Sequence, residues 1–325
     1  MAAAARSAGC RAAAVESLTP LRRRNASPSS SQEESDLHPS HRLAAFAVVS
    51  MLITPGFAAA QLAPDTLAKI RAAKQIDVAY STDSPPFSFT GDGKRPAGDS
   101  IELCQRVIAH LGRVAGVPEL KTNWIAGCVA QRIEMVRSGK VQLECGNTSV
   151  TLAQLAHVDF SVLVFLDGGA ILVRDGSPIH AFADLAGWTV GVEGGTTPGP
   201  RLLELLRERS VEARVERVKD GSDGLARLGA DSVDALAGDR IELFGLAAHA
   251  PDPRAFTLLP EDLSVELIAF AVPRNDAAFR VEVDRALSEI YRSGEIESIF
   301  RQWLGAYGRP NGLVAALYIL NAIPR

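Results

Sequence analysis

The chain has 325 residues, of which 47% are hydrophobic, and this is enough to build two domains of ordinary size. Its formal net charge is -4, from 34 lysines and arginines and 38 aspartates and glutamates. Nucleic-acid-binding domains usually present a basic face, so this balance argues against nucleic acid as a partner and favours a small solute.

The first sixty residues are predicted to lie outside the fold. The runs 22–24 and 27–32 are polar and disorder-prone, and residues 1–40 form an extension. The apolar run 43–57 follows His41 and Arg42 and ends at Ala58-Ala59-Ala60. A short basic region, an apolar segment of about 15 residues and small residues at its end are typical of a secretory signal. A membrane anchor is the alternative, but a span needs ~20 apolar residues. We therefore expect cleavage near Ala60 and a periplasmic mature protein.

Cleavage there would leave three cysteines, Cys104, Cys128 and Cys145. Three cysteines cannot all pair with one another, and their spacing matches no zinc-binding pattern. One disulfide, which an oxidising compartment would permit, and three buried thiols both remain open. No metal or other cofactor is expected.

Beyond residue 75 the chain alternates predicted strands and helices. A strand at 76–80 enters a turn-rich loop, and Asp99 or Ser100 is predicted to cap a helix whose apolar residues recur every three or four positions. A second helix at 129–137 ends at Gly139, where glycine can adopt the left-handed conformation, and a strand follows at 141–145. This alternation predicts a parallel sheet.

The alternation repeats in the second half of the chain. Strands are predicted at 189–192, near Val215 and at 234–237, with helices around 202–206 and 220–228. The apolar runs 163–173 and 263–272 flank this unit and are long enough to connect two lobes as a hinge. Two amphipathic helices near the C-terminus, around 279–290 and 296–303, are assigned to the first lobe.

Short motifs occur in a fixed order between residues 76 and 303. They are Pro85-Pro86-Phe87, Glu144-Cys145-Gly146, Asp159-Phe160-Ser161, Asp184-Leu185-Ala186-Gly187, Gly195-Thr196-Thr197, Val233-Asp234-Ala235 with Asp239, and Ser293-Gly294-Glu295 before Trp303. In their order and spacing they resemble those of family 3 periplasmic solute-binding proteins, most closely the glutamate/aspartate-binding branch.

The resemblance implies an α/β fold of the type II periplasmic binding protein class. Two lobes, each a sheet flanked by helices, would be joined by a two-segment hinge. The implied division is an N-terminal extension and signal peptide at 1–60, a first lobe at 61–166 and 268–325, and a second lobe at 167–267. The protein is expected to be a monomer.

The resemblance also indicates a site for an amino acid between the lobes. Asp239 would receive the ligand ammonium group, and Arg132 would offer its planar guanidinium to a carboxylate. Asn147 and Ser149 follow a glycine and offer neutral hydrogen bonds. Thr196 lies in a turn that opens a helix, where backbone N–H groups can meet a carboxylate.

Each assignment has a structural alternative. Asp239 is placed to cap the helix beginning at Arg240, and Arg132 can form an ordinary ion pair. The turn containing Thr196 can be a plain strand-to-helix connection. Phe87 is an expected apolar wall of the site, although an aromatic residue in this position commonly belongs to the core.

Three positions depart from the pattern of the glutamate/aspartate-binding branch. Gln154 stands where an arginine that grips the ligand carboxylate is expected, Ser81 replaces a second arginine, and Gly221 replaces a histidine. Glutamine returns only a neutral hydrogen bond. The ligand is therefore left open as an amino acid or similar small polar solute.

The leading hypothesis is a periplasmic binding protein, not an enzyme, that presents its solute to the permease of an ABC transporter. One alternative is a periplasmic sensor or accessory binding protein of the same fold. A third possibility is a cyclohexadienyl-dehydratase-like lyase in which Glu193 acts as general acid.

Overall fold

The computed structural model describes residues 65–324 of the chain. The predicted signal segment at 1–60 lies outside the described residues. No helix among those described has the length and apolar character to span a membrane.

Ten α-helices and twelve strands are described in this part of the chain. The helices are α1 (Thr66–Ala73), α2 (Asp99–Ala115), α3 (Val129–Arg137), α4 (Leu152–Leu155), α5 (Pro198–Glu208), α6 (Gly221–Gly229), α7 (Arg240–Ala248), α8 (Ala277–Ser293), α9 (Glu295–Leu304) and α10 (Gly312–Leu320). The strands are β1 (Gln75–Tyr80), β2 (Asp83–Ser84), β3 (Ser88–Thr90), β4 (Pro96–Ala97), β5 (Lys121–Ala126), β6 (Leu143–Glu144), β7 (Asp159–Arg174), β8 (Thr189–Glu193), β9 (Arg214–Val218), β10 (Ala235–Asp239), β11 (Phe256–Leu258) and β12 (Ser264–Val272).

The larger sheet contains strands from both halves of the described part of the chain. Its order is β5-β1-β6-β12-β7-β10-β8-β9, with β11 paired to β7. The pairs β1–β5, β1–β6, β8–β10 and β8–β9 are parallel, as the strand–helix alternation predicts. The central strands β7 and β12 are antiparallel to each other. Each end of the sheet is therefore an α/β unit, and the two units are joined through a pair of long strands.

The two predicted connecting segments lie in β7 and β12. These strands pair from Ser264 opposite Gly169 to Val272 opposite Asp159. Hydrophobic clusters divide on either side of them. Ile76, Leu111, Phe279 and Ile299 share one cluster, whereas Ile171, Val190, Leu202 and Ala235 share another. The protein thus has two lobes with separate cores, and residues of the C-terminal helices α8 and α9 share the cluster that contains Ile76 and Leu111.

The predicted cap of α2 is wrong. The N-cap residue is Gly98, and Asp99 and Ser100 lie inside the first turn, fully buried. Their backbone N–H groups donate to the carbonyl oxygens of Pro86 and Phe87, each at 2.9 Å, so the preceding loop caps the helix without a side chain. Gly98 has a φ of 124°, and a Cβ there would lie 2.3 Å from the oxygen of Phe87. Only glycine fits this entry.

The predicted strand at 141–145 shortens to the two residues of β6. They pair with β1 at Val78 and Ala79. A disulfide joins Cys104 in α2 to Cys145 just after β6, with their Cα atoms 6.0 Å apart. Of the two possibilities that the sequence left open, the bridge is therefore the one formed. It holds the loop after β6 against the core of the first lobe.

Candidate ligand-binding cleft

Three strands of the large sheet end in a glutamate or aspartate. Glu144 ends β6 in the first lobe, while Glu193 ends β8 and Asp239 ends β10 in the second lobe. Ligands of α/β folds usually sit beyond the carboxyl ends of the strands. The acidic residues thus mark the side of each lobe where a ligand is expected.

Arg132 is fully buried in the first lobe and is bonded within it. Its Nε donates to Oε1 of Glu144 at 2.6 Å, and its Nη1 donates to the carbonyl of Gly127 at 3.0 Å. Its Nη2 donates to Oγ1 of Thr148 at 3.2 Å and to Oδ1 of Asn147 at 3.4 Å. In this conformation the guanidinium organises the loop after β6, which corresponds to the structural alternative of an ion pair, although this pair is buried.

The glycine that follows Cys145 is explained by the same contact. A Cβ at Gly146 would lie 2.6 Å from Nη2 of Arg132 and 2.5 Å from Oε1 of Glu144. Real Cβ atoms do not approach that closely. The absence of a side chain at Gly146 thus leaves room for the Arg132–Glu144 pair.

Asn147 connects the two lobes through its side-chain amide. Its Nδ2 donates to Oε2 of Glu242 at 2.6 Å and lies 3.4 Å from Oδ2 of Asp239. Its Oδ1 accepts the hydrogen bond from Arg132. One amide therefore stands between a guanidinium of the first lobe and two carboxyl groups of the second.

Asp239 occupies the N-cap position of α7, but its side chain does not cap the helix. Asp167 does so instead, because its Oδ2 accepts from the backbone N–H of Ile241 at 3.0 Å. The Oδ1 atom of Asp239 is buried and has no hydrogen-bond partner within the described residues. The helix-capping alternative predicted for this side chain is therefore not what the structure shows.

A small cavity of about 30 Å³ lies beside these carboxyl groups, lined among others by Glu193, Thr196, Asp239 and Glu242. Burial raises the pKa of Glu193 to about 7, against the attraction of Arg132. Burial also raises the pKa values of Asp239 and Glu242 well above their ordinary range, and neighbouring carboxylates add to the effect. The site has room for a group the size of one water or one ammonium.

The lobes also touch at the edges of the cleft. Ser149 Oγ of the first lobe lies 3.3 Å from Thr197 Oγ1 of the second, and Thr197 donates to Glu266 at 2.5 Å. Asp83 accepts hydrogen bonds from both the backbone N–H and the hydroxyl of Ser222. The structure is therefore that of a cleft whose walls are in contact.

The predicted site residues fall into two groups. Thr196 and Asp239 line the small cavity, and Asn147 and Arg132 connect to it through hydrogen bonds. Ser149 contacts Thr197 where the lobes touch. Thr196 donates to the carbonyl of its own turn at Glu193, 2.9 Å away.

Phe87 and Gln154 lie elsewhere. Phe87 is fully buried in the first-lobe core, with its ring centroid 5.0 Å from that of Phe165. Gln154 is in the short helix α4, where its Oε1 accepts from Thr151 at 3.1 Å. Neither residue lines the small cavity.

The sequence reasoning missed Glu242 as a member of the site. Acidic residues in the first turn of a helix are common because they complement the helix dipole, so Glu242 looked ordinary. Its spacing of three from Asp239 puts both residues at the start of α7. That spacing next to a strand end was the one available signal.

Comparison with known proteins agrees with this architecture. The family described as bacterial extracellular solute-binding proteins, family 3, matches residues 76–306. The L-glutamate/L-aspartate-binding protein of Pseudomonas aeruginosa is 30% identical over 268 residues, covering 82% of this chain and 88% of that protein. The glutamate/aspartate import solute-binding protein of Escherichia coli is 27% identical over 266 residues, covering 81% and 88%.

A solved structure supports the fold. An ancestral arginine-binding protein bound to glutamine superimposes with a TM-score of 0.64 at 24% identity, covering 71% of this chain and 98% of that one. The two curated relatives are named as binding proteins and not as enzymes. On the matched residues and the two-lobed architecture, the chain belongs to the bacterial extracellular solute-binding proteins of family 3.

Proposed function

We propose that this protein binds an amino acid or similar small polar solute between its lobes and presents it to the permease of an ABC transporter. The protein would act in the periplasm as a monomer after removal of the segment at 1–60. The proposed lobes comprise 61–166 with 268–325, and 167–267. The separate hydrophobic clusters on either side of β7 and β12 support this division.

The observation that carries the proposal is the buried polar junction at Asn147. Buried polar groups are expensive to desolvate unless they find partners, so a contact surface built only for stability would be apolar. Here the amide of Asn147 in the first lobe meets Asp239 and Glu242 of the second, and one oxygen of Asp239 remains unpartnered. Such a junction suits a site that exchanges protein contacts for ligand contacts.

The names of the relatives support the class of solute and partner. Two of those reported above are named for binding or import of glutamate and aspartate. A glutamine-binding protein of Bacillus subtilis, 25% identical over 252 residues, is named as part of an ABC transporter. These names concern those proteins, and we carry over only the common element, an amino-acid-like solute delivered to a transporter.

Isothermal titration calorimetry with the common amino acids, organic acids and diamines tests the proposal. Saturable binding of at least one amino acid or small polar solute is expected, together with a rise in the unfolding temperature, because a ligand that binds only the folded state stabilises it. No heat and no thermal shift with any solute would overturn the proposal.

Transport is tested separately in cells. Deletion of the gene for this protein should reduce cellular uptake of the solute that binds best. Expression of the full-length protein from a second copy of the gene should restore that uptake. Uptake that does not depend on the protein would favour the alternative of a sensor or accessory binding protein, which binds without delivering.

A further inference from the structure

The cavity between the lobes is surrounded by acidic groups. Glu193, Asp239 and Glu242 line it, and Asp83 faces Glu193 and Glu242 closely enough to raise their pKa values. A carboxyl group of the ligand would have to enter among these groups. A positive group would instead find several partners there.

Arg132 is the cation whose attraction opposes the rise in the pKa of Glu193, and its charge is already paired with Glu144. It is 1% exposed and forms a 2.6 Å ion pair with Glu144, and further bonds occupy its terminal nitrogens. An incoming carboxylate would have to displace Glu144 from inside the first lobe. That exchange would leave Glu144 buried without its charged partner.

A second, independent observation comes from Asp239. The residue is 6% exposed and lines the cavity, and its Oδ1 has no hydrogen-bond partner in the described part of the chain. Its other oxygen receives only the long 3.4 Å contact from the Asn147 amide. A buried carboxyl group in this condition lacks a donor.

The nitrogen of the Asn147 amide lies next to this carboxyl group but contacts its other oxygen, Oδ2. It lies between Oε2 of Glu242 and Oδ2 of Asp239 and meets both with one neutral amide. Charge-assisted hydrogen bonds to a carboxylate are stronger than neutral ones. An ammonium or guanidinium in this position would serve both carboxylates better than the amide does.

Glu193 provides a second position for a positive group. It ends β8 and lines the same cavity, and its carboxylate has no hydrogen-bond partner among residues 65–324 in the structure. Glu193 and the Asp239–Glu242 pair come from different strand ends. They can therefore receive two separate groups of one extended ligand once the lobes part, because the cavity of about 30 Å³ between the touching walls has room for only one such group.

We propose that the cleft takes an organic dication, with one positive group between Asp239 and Glu242 and the other at Glu193. This inference rests on the proposed function and narrows it, because it excludes the acidic amino acids as preferred ligands. Basic amino acids and diamines both carry two positive groups, and the α-carboxylate of a basic amino acid would have to lie outside the acidic cavity. Within the described residues, no group of three histidine, cysteine or carboxylate side chains is arranged to hold a metal ion, which favours an organic cation.

The test is a calorimetric titration of the wild-type protein and two variants. The probes are L-lysine and L-ornithine, 1,4-diaminobutane, L-glutamine, L-glutamate, and the chlorides of Mg²⁺ and Ca²⁺. Glu193→Gln removes one charge without removing a hydrogen bond, so the variant is expected to fold. Glu212→Gln makes the same change at an exposed position of the second lobe and serves as the matched control.

The expected result is that a dication binds at least ten times more tightly than glutamine or glutamate. Glu193→Gln should reduce the preference for the dication over glutamine about ten-fold, and Glu212→Gln should leave it unchanged. Lysine or ornithine as the best ligand identifies a basic amino acid, and diaminobutane identifies a diamine. Both results support the inference.

Other results would contradict the inference, and they can be told apart from one another. Preferred binding of glutamate or glutamine overturns the inference while leaving the proposed function intact, and tighter binding of a divalent metal overturns the inference as well. An unchanged preference for the dication over glutamine in Glu193→Gln would contradict the assignment of Glu193 as the second cation position. No binding of any organic solute overturns both the inference and the proposed function.

Discussion

The Nε atom of Arg132 lies 2.6 Å from Oε1 of Glu144, and the two side chains are 1% and 0% exposed. This pair lies beneath the loop that carries Asn147, so it fixes the first-lobe wall of the cleft. Breaking a buried pair by removing one charge leaves the other charge buried and uncompensated. The pair therefore connects the stability of the first lobe to the geometry of the site.

Glu144→Gln is predicted to lower the free energy of unfolding by about 3–5 kcal/mol. The reason is that the variant keeps the shape of the residue but leaves Arg132 without its charged partner. Urea unfolding followed by circular dichroism measures the loss. Glu134→Gln is the control, because Glu134 pairs with Arg137 at 2.6 Å on the surface of α3, the helix that carries Arg132. This substitution should change stability little. A similar loss of stability in the two variants would contradict the structural role assigned to the Arg132–Glu144 pair.

The bridge between Cys104 and Cys145 closes a loop with a sequence separation of 41. In the chain-entropy model a loop of this size is worth about 4 kcal/mol. Cys104→Ala, Cys145→Ala and the double variant should therefore each lose about the same stability, since the first substitution already breaks the bridge. Thermal unfolding without a reductant measures this. Losses that add in the double variant would show that the residues act independently.

Asp99 introduces a pH dependence in the core of the first lobe. It is fully buried, and neither carboxyl oxygen has a hydrogen-bond partner among residues 65–324. Burial, with a smaller effect of Glu102, raises its pKa from 3.8 to about 7. The hydroxyl groups of Tyr291 and Tyr318, from helices α8 and α10, lie close enough for Asp99 to raise their pKa values. In the part of the chain that the structure describes, the groups acting on Asp99 therefore oppose its ionisation.

The direction of the change in stability with pH follows from the raised pKa of Asp99. The unfolded chain loses the Asp99 proton near pH 4, whereas the folded protein keeps it up to about pH 7. This group's stabilising contribution is complete below pH 4 and is lost as the pH rises to about 7, by up to about 4 kcal/mol. Asp99→Asn should therefore raise stability relative to the wild type at pH 8, with a smaller gain at pH 5. Equal effects in urea unfolding at both pH values would contradict this.

Gly245 allows the two lobes to approach each other closely, because it has no side chain. It lies in α7 of the second lobe, and a Cβ there would lie 2.5 Å from the carbonyl oxygen of Pro85 in the first. Gly245→Ala should keep the lobes apart and weaken binding of the preferred solute at least ten-fold, while the helix itself gains up to ~1 kcal/mol. Small-angle X-ray scattering of the ligand-saturated protein should show a larger radius of gyration.

Gly229→Ala is the matched control, because a Cβ there would lie at an ordinary distance of 3.7 Å from Phe256 in the same lobe. Its affinity and radius of gyration should equal those of the wild type. Unimpaired closure and binding in Gly245→Ala would mean that the lobes meet differently from the arrangement described.

Elements fixed by local pattern could be predicted, and contacts between distant segments could not. The helix at 129–137 has the predicted bounds because its limits, Gly139 included, are encoded nearby. The cap of α2 was missed because the acceptors are backbone carbonyls of a preceding loop, which leave no signal in side chains. The helix-capping alternative for Asp239 failed because Asp167, 72 positions away in the printed sequence, caps α7 instead.

The site shows the same division. The positions of Asn147 and Asp239 follow from strand ends, which a periodic pattern reveals. The internal pairing of Arg132 does not, because an arginine and a glutamate 12 residues apart give no indication of whether they meet. Specificity depends on such pairings, since they decide which charges remain for a ligand.

The charge of the preferred ligand can be read from the protons exchanged on binding. Several charged groups act on the three cavity carboxyl groups. They are Arg132, Asp83 and Asp220 near Glu193, Asp167, Glu266 and Glu193 near Asp239, and Asp239, Glu193 and Asp83 near Glu242. Because the carboxyl pKa values are raised in the unliganded protein, a bound cation lowers them and expels protons, whereas a bound anion raises them and takes protons up.

Calorimetric titration of the preferred solute at pH 7, repeated in phosphate and in Tris buffer, measures that exchange through the different ionisation heats of the buffers. The account predicts a net release of protons, which Glu193→Gln reduces. A net uptake of protons on binding would contradict it.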